Sequence, residues 1–159
     1  MSKTRKYSEE FRIKYEKIGH FVANFNDLDA RLDLLIGILA NKDDVAVGEI
    51  ISAAINSFIV KCNISAALVN HLGGEDLSKE YKKLDKACRR VNDTRIDLIH
   101  GEHWLDFDEW RFRMRRQMTT SAGFKTKHIE YSAVEIGNWA EKVKDLEADL
   151  YTFCKKTMS

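Results

Sequence analysis

The sequence predicts an all-α protein, a four-helix up-down bundle with a small β-hairpin between helices 3 and 4. Apolar residues recur at three- and four-residue spacing over long stretches, proline is absent from all 159 residues, and one short segment alone switches to a two-residue period. Without proline the commonest helix breaker is missing, so long helices run uninterrupted.

Helix 1 is expected over about residues 8–40. Phe11, Tyr15, Ile18, Val22, Phe25, Asp29, Leu32, Ile36 and Leu39 alternate steps of four and three, the pattern of a helix packed in a bundle, and Asp29 is the only charged member. Helix 2 is expected over about 45–72, with Ile51, Ile55, Phe58, Cys62, Val69 and Leu72 inward and Gly73-Gly74 as its stop. Asn56, Asn63 and Asn70 repeat every seven residues along it and read as a solvated or helix-contacting flank. Helix 3 is expected over about 76–101, with Leu84, Cys88, Val91, Arg95 and Leu98 on the inward row. Between about 109 and 131 the period drops to two: Trp110, Phe112 and Met114 alternate with Arg111, Arg113 and Arg115, then Ser121-Ala122-Gly123 offers a turn and Phe124 to Tyr131 a return strand. Ser132 followed three residues later by Glu135 is a capping box, and it opens helix 4, expected over about 133–156, with Ile136, Trp139, Val143, Leu146, Leu150 and Phe153 inward.

At 159 residues the chain suits a single domain, 1–159, able to bury roughly 70% of its unfolded surface. Twenty-six basic residues against 25 acidic ones leave a net charge of +1, so no global field draws the molecule to nucleic acid or membrane. The most hydrophobic stretch, Ile50 to Val60, is too short to span a bilayer and contains Asn56, and the charged N-terminus lacks the apolar stretch of a signal peptide. Cys62, Cys88 and Cys154 are far apart on apolar rows and read as reduced core thiols of a cytoplasmic protein. No Gly-x-Ser-x-Gly elbow and no phosphate-cradling glycine loop is present, and no cofactor is expected.

The most informative stretch is Arg95-Ile96-Asp97-Leu98-Ile99-His100-Gly101. Arginine is a permanent cation that clamps phosphate oxygens, and histidine moves protons near neutrality, so the pair can perform metal-free phosphodiester chemistry. Asp29 and Arg95 each interrupt an apolar row with opposite charge, and a buried charge needs a partner, so the two are expected to meet. Asn92, one turn before Arg95, and Asp97, three before His100, are supporting candidates for contact and orientation. In the hairpin Arg111, Arg113, Arg115, Arg116, Lys125 and Lys127 stand against one acid, the signature of a surface that follows a nucleic-acid backbone or of strands protected from edge-to-edge pairing. His100, His103, Asp106 and Asp108 could also hold a transition metal, but Gly101 breaks their shared face and no metal is expected.

An all-helical pattern with Arg-x4-His at the end of its third long helix, followed by Gly101, resembles the HEPN superfamily. The resemblance implies a metal-independent endoribonuclease of toxin or anti-phage defence type, working as a homodimer on RNA, with Arg95 and His100 catalytic and with an antitoxin or defence protein as a further partner. It also admits a non-catalytic dimeric module that binds nucleic acid or a protein. Two positions depart from the family: Ile96 stands where many members have Asn, Asp or His, and Glu102 stands where the tyrosine-modified toxins carry tyrosine.

Overall fold

Heptad-spaced apolar residues draw Lys3–Ala40 into one long helix, α1. The computed structural model describes the backbone of residues 3–41, 44–106, 111–120 and 123–158, and the side chains of 9–41, 44–103, 114–118 and 123–158. Along α1 the buried side chains include Ile18, Phe25, Leu32, Ile36 and Leu39 together with Phe21, Leu28, Leu35 and Ile38. The predicted row shares the first set, but the second replaces Tyr15 and Val22, which lie further out.

Four more helices follow among the described residues: α2 (Val45–Ala53), α3 (Phe58–Leu72), α4 (Gly74–His100) and α5 (Ala133–Met158). Three strands, β1 (Glu102–Asp106), β2 (Arg111–Thr120) and β3 (Gly123–Ile129), separate α4 from α5 and form an antiparallel sheet in the order β1-β2-β3. The protein is therefore mostly helical with a small sheet, as the periodicity predicts, but the sheet has a strand more than the expected hairpin. β1 pairs Glu102 with Arg115 and Asp106 with Arg111 along the free edge of β2. The expected turn residues Ser121 and Ala122, and Trp110 at the start of the hairpin, lie outside the described residues.

The expected second helix is two helices. At Ala54 the chain leaves α2, Ile55 N–H bonds the Ser52 carbonyl at 2.9 Å, and the Ser57 hydroxyl caps α3 by accepting from Val60 N–H at 3.4 Å. Asp44 caps α2 in the same way through Val47 N–H. The split has a packing cause: a Cβ on Gly48 would come within 2.5 Å of the Gly37 Cα, so α2 crosses α1 backbone to backbone. That crossing buries Gly48 and Ser52 and turns Ile50 and Ile51 outward, 71% and 61% exposed, although Ile51 was expected inward. Leu72, also expected inward, is exposed at the end of α3. Gly74 takes φ 71°, the left-handed conformation that lets α4 begin directly after Gly73 closes α3.

The chain divides into two compact units, one of Met1–Val22 and Asp93–Glu141, the other of Ala23–Asn92 and Lys142–Ser159. In the second unit the core joins Phe25 with Phe58, ring centroids 4.6 Å apart, and Tyr81 with Phe153, 5.4 Å apart. Leu146, Leu150 and Phe153 of α5 are buried there, and Cys62, Cys88 and Cys154 are buried free thiols. The Asn row faces solvent, with Asn63 accepting from Arg89 Nη2 at 2.7 Å. In the first unit Ile136 and Met114 are buried, and the capping box is formed: Ser132 N–H donates to Glu135 at 2.8 Å, and Glu135 N–H donates to the Ser132 hydroxyl at 3.1 Å. No helix among the described residues is long and apolar enough to cross a membrane.

Lys61 is buried in the second unit and its ammonium bonds Asp29 at 3.0 Å and Asp33 at 2.8 Å. Burial opposes its charge, but hydrogen bonds to Asp33 and Asp29 outweigh burial and raise its pKa above the ordinary lysine value. Burial likewise pushes the Tyr81 phenol up and the Cys154 thiol up to about 11. Groups whose pKa rises on folding contribute stability that is complete below their unfolded pKa and disappears as pH climbs through the folded one. Unfolded cysteine, tyrosine and lysine titrate at about 8.5, 10 and 10.4, so the denaturation midpoint is expected to be flat near neutrality and to fall progressively above about pH 9. Urea titrations at stepped pH check this. Gly48→Ala is expected to destabilise by about 2 kcal/mol, because the backbone of α1 must move to admit the methyl group, measurable by the same denaturation.

Candidate functional site

The last two turns of α4 belong to the first unit and carry most of the candidate chemistry. Thr94, Asp97 and Leu98 are buried, at spacings of three and four that put them on one side of the helix. The charged residue on the buried side is thus Asp97, whereas Arg95, expected there, is only half-buried at its margin. His100 is the final residue of the helix and is exposed.

Asp97 is held from three directions. Its carboxylate accepts from Arg116 Nη1 at 3.1 Å and from Lys127 Nζ at 2.9 Å, with the Tyr131 hydroxyl at 3.5 Å, and its side chain is 4% exposed. Arg116 on β2 stands directly opposite Lys127 on β3 in the strand register. Like charges so placed repel, and the buried carboxylate offsets both. The cluster fastens the end of α4 to two strands at once. Burial raises the Tyr131 phenol, and the neighbouring Asp97 charge raises it further.

Beyond His100 the chain doubles back tightly, since a Cβ on Gly101 would lie 2.4 Å from the Asp97 carbonyl oxygen. Glycine is required by this close approach. Two residues later His103 Nε2 hydrogen-bonds the Leu98 carbonyl at 2.9 Å, satisfying one of the acceptors that a helix end leaves without an internal partner. The imidazole also lies 6.2 Å from the Tyr15 ring, nearly parallel to it. The sequence offers His103 either a metal role or the commoner role of a histidine near a helix end, as a cap, and the cap is what forms, its signal being the position just past a helix-ending glycine.

Around the α4 axis Arg95 and His100 are separated by roughly 140°, and along it by about 7.5 Å. The shorter arc between them holds Ile99, 39% exposed, and the half-buried Ile96. Both polar groups therefore border one outward face with apolar side chains between them, a geometry in which a single copy does not bring them to one phosphate.

The hairpin cations divide. Arg115 bonds Glu102 across the strands at 2.6 Å, and that bond holds the Glu102 carboxyl below its ordinary value. Arg116 and Lys127 answer Asp97, Lys125 is exposed, and the side chains of Arg111 and Arg113 lie outside the described residues. Asp29 takes Lys61 as its partner in place of the expected Arg95, because α3 brings its buried ammonium against α1. Asn92 is buried on α4 in the second unit. Among the described residues no three histidine, cysteine, aspartate or glutamate side chains gather to hold a metal, and the side chains of Asp106 and Asp108 lie outside them.

Comparison with family models, curated proteins and solved structures finds no match for this chain. Asp97→Ala is expected to destabilise by about 3 kcal/mol, the lower end for breaking a buried ion cluster because Lys127 is half-solvated, while Asp97→Asn loses less. Urea denaturation of the two variants beside the parent chain measures the difference.

Proposed function

We propose that the protein is a HEPN-like, metal-independent endoribonuclease of toxin or anti-phage type, a four-helix up-down bundle that acts as a cytoplasmic homodimer. The observation that carries this reading is the placement of Arg95 and His100 on either side of one outward face of α4, on a turn that Asp97 fastens to the sheet. A two-fold pairing through Ile96 and Ile99 would bring both arginines and both histidines to one cleft. There one His100 takes the proton of an RNA 2′-hydroxyl, the 2′-oxygen bonds to phosphorus, and the bond to the 5′-oxygen breaks as the partner's His100 protonates it. Arg95 stabilises the negative charge that grows on the phosphoryl oxygens. The products are a 2′,3′-cyclic phosphate and a 5′-hydroxyl. DNA, lacking the 2′-hydroxyl, is not cut. An antitoxin or defence-system protein is the partner such an activity calls for.

A non-catalytic module that binds nucleic acid or protein is the second reading. It is favoured by Ile96 beside Arg95, where many members of that family carry Asn, Asp or His, and by the engagement of Arg115, Arg116 and Lys127 with carboxylates. Cleavage of mixed RNA in EDTA separates the two. The parent chain is expected to cut and to leave cyclic phosphate, His100→Ala is expected to lose at least about a hundredfold in rate, and Arg95→Ala a comparable amount. Intact RNA with the parent chain, accompanied by dimer loss or instability in both variants, sinks the nuclease and supports the module.

A further inference from the structure

The seven-residue asparagine repeat has a second component, because Val60 and Ala67 stand between its members. Val60, Asn63, Ala67 and Asn70 follow steps of three and four along α3, the spacing of a seam between two helices. All four are exposed, on the side away from the buried Phe58, Lys61, Cys62, Ser65 and Val69. Charge is missing from the same surface. Between Val45 and Asn70 the sequence holds two charged residues, Glu49 and Lys61, in a chain that is 32% charged. Lys61 turns inward onto Asp29 and Asp33, and Glu49 is half-buried over Gly37 of α1. Ser52 of α2 and Lys61 of α3 both bond Asp33, so within the second unit the two helices dock side by side on α1. What they turn outward is apolar or amide: Ala46, Val47, Ile50 and Ile51 from α2, and the seam from α3. A helix face that stays in water ordinarily carries charges, whereas loss of charge marks the centre of an interface.

We propose that a second copy of the chain covers this surface, its α3 running parallel to the first about a two-fold axis along the seam. The asparagines select that occupant. A carboxamide both donates and accepts, so it pairs with its own kind, and the axis sets Asn63 against the partner's Asn63 and Asn70 against the partner's Asn70. The amide oxygen accepts two bonds, so the one that Asn63 takes from Arg89 leaves room for another. Val60 packs on the partner's Val60, and the small Ala67 lets the backbones approach. Asparagine in such a seam fixes register and a two-stranded state at some cost in affinity. A lipid surface would strip water from these amides without replacing their hydrogen bonds, and a charged partner finds no opposite charge to meet. Parallel pairing also puts both α2 helices at one end, where Ile50 and Ile51 extend the contact. The two copies bury on the order of 1,000 Å² in total, the lower bound for a specific interface, which makes the dimer weak. α3 shares no residue with the α4 face of Ile96 and Ile99, so this pairing stands or falls apart from the RNA-cleavage reading.

Sedimentation equilibrium of the full chain carrying Ile99→Glu, which removes pairing through α4, isolates the contact. That chain is expected to dimerise with Kd between about 10 and 100 μM. Adding Ala67→Glu or Ala67→Lys is expected to weaken the dimer at least tenfold in each case, because like charges then meet across the axis. Helix content by circular dichroism is expected to stay unchanged, since Ala67 is exposed. An equimolar mixture of the two variants is expected to associate at least tenfold more tightly than either alone, as opposite charges then face each other. A chain that stays monomeric at about 1 mM overturns the proposal. So does a mixture no tighter than its components, which places position 67 away from the axis. Monomer that binds phosphatidylcholine vesicles, and loses them with Ala67→Glu, gives the face to lipid instead.

Discussion

A carboxylate beneath two strands holds the end of α4 in place. Asp97 is nearly inaccessible, and an uncompensated charge in that position would cost several kcal/mol, so its bonds to Arg116 and Lys127 are a condition of folding. The same bonds let two cations face each other across β2 and β3, which bare strands would not tolerate. Arg95, His100 and the tight passage through Gly101 all belong to this stretch of α4 and its exit. Whatever chemistry the turn performs, it performs from a backbone fixed by that cluster and by the His103 cap on the Leu98 carbonyl.

The second unit solves a related problem with the opposite sign. Lys61 is a buried cation, and Asp29 and Asp33, one turn apart on α1, surround it, while Ser52 of α2 donates to Asp33. α2 can reach Asp33 only because Gly37 and Gly48 let the two backbones touch. The consequence is a helix with its polarity inverted, burying a glycine and a serine and exposing Ile50 and Ile51. Hydrogen bonding and backbone approach decide the orientation of this nine-residue helix, and apolar burial yields to them.

These clusters bear on function through the charges they consume. A hairpin with six basic side chains promises a strong anion-binding surface, but pairing with Glu102 and Asp97 lowers the field that Arg115, Arg116 and Lys127 project. The outward face of α4 keeps an exposed imidazole with apolar side chains beside it. Recognition of RNA by such a surface depends on two copies combining, since one copy separates its arginine and histidine around the helix.

The sequence by itself determined the helical class, the two-residue period of β2, the capping box that starts α5, part of the buried row of α1 and all of the expected row of α5 except the half-buried Trp139, because these depend on residues a few positions apart. It also marked Arg95 and His100, since a charge in an apolar row is visible as a pattern. Tertiary structure decided the rest. Periodicity ran Val45 to Leu72 together as one helix, and the break came from caps at Ser57 and a glycine crossing with α1, a contact between distant positions. The partners of Asp29 and Asp97 were likewise illegible, because a carboxylate on a helix face pairs with whichever ammonium or guanidinium the fold brings within about 3 Å, and sequence spacing carries no record of that distance.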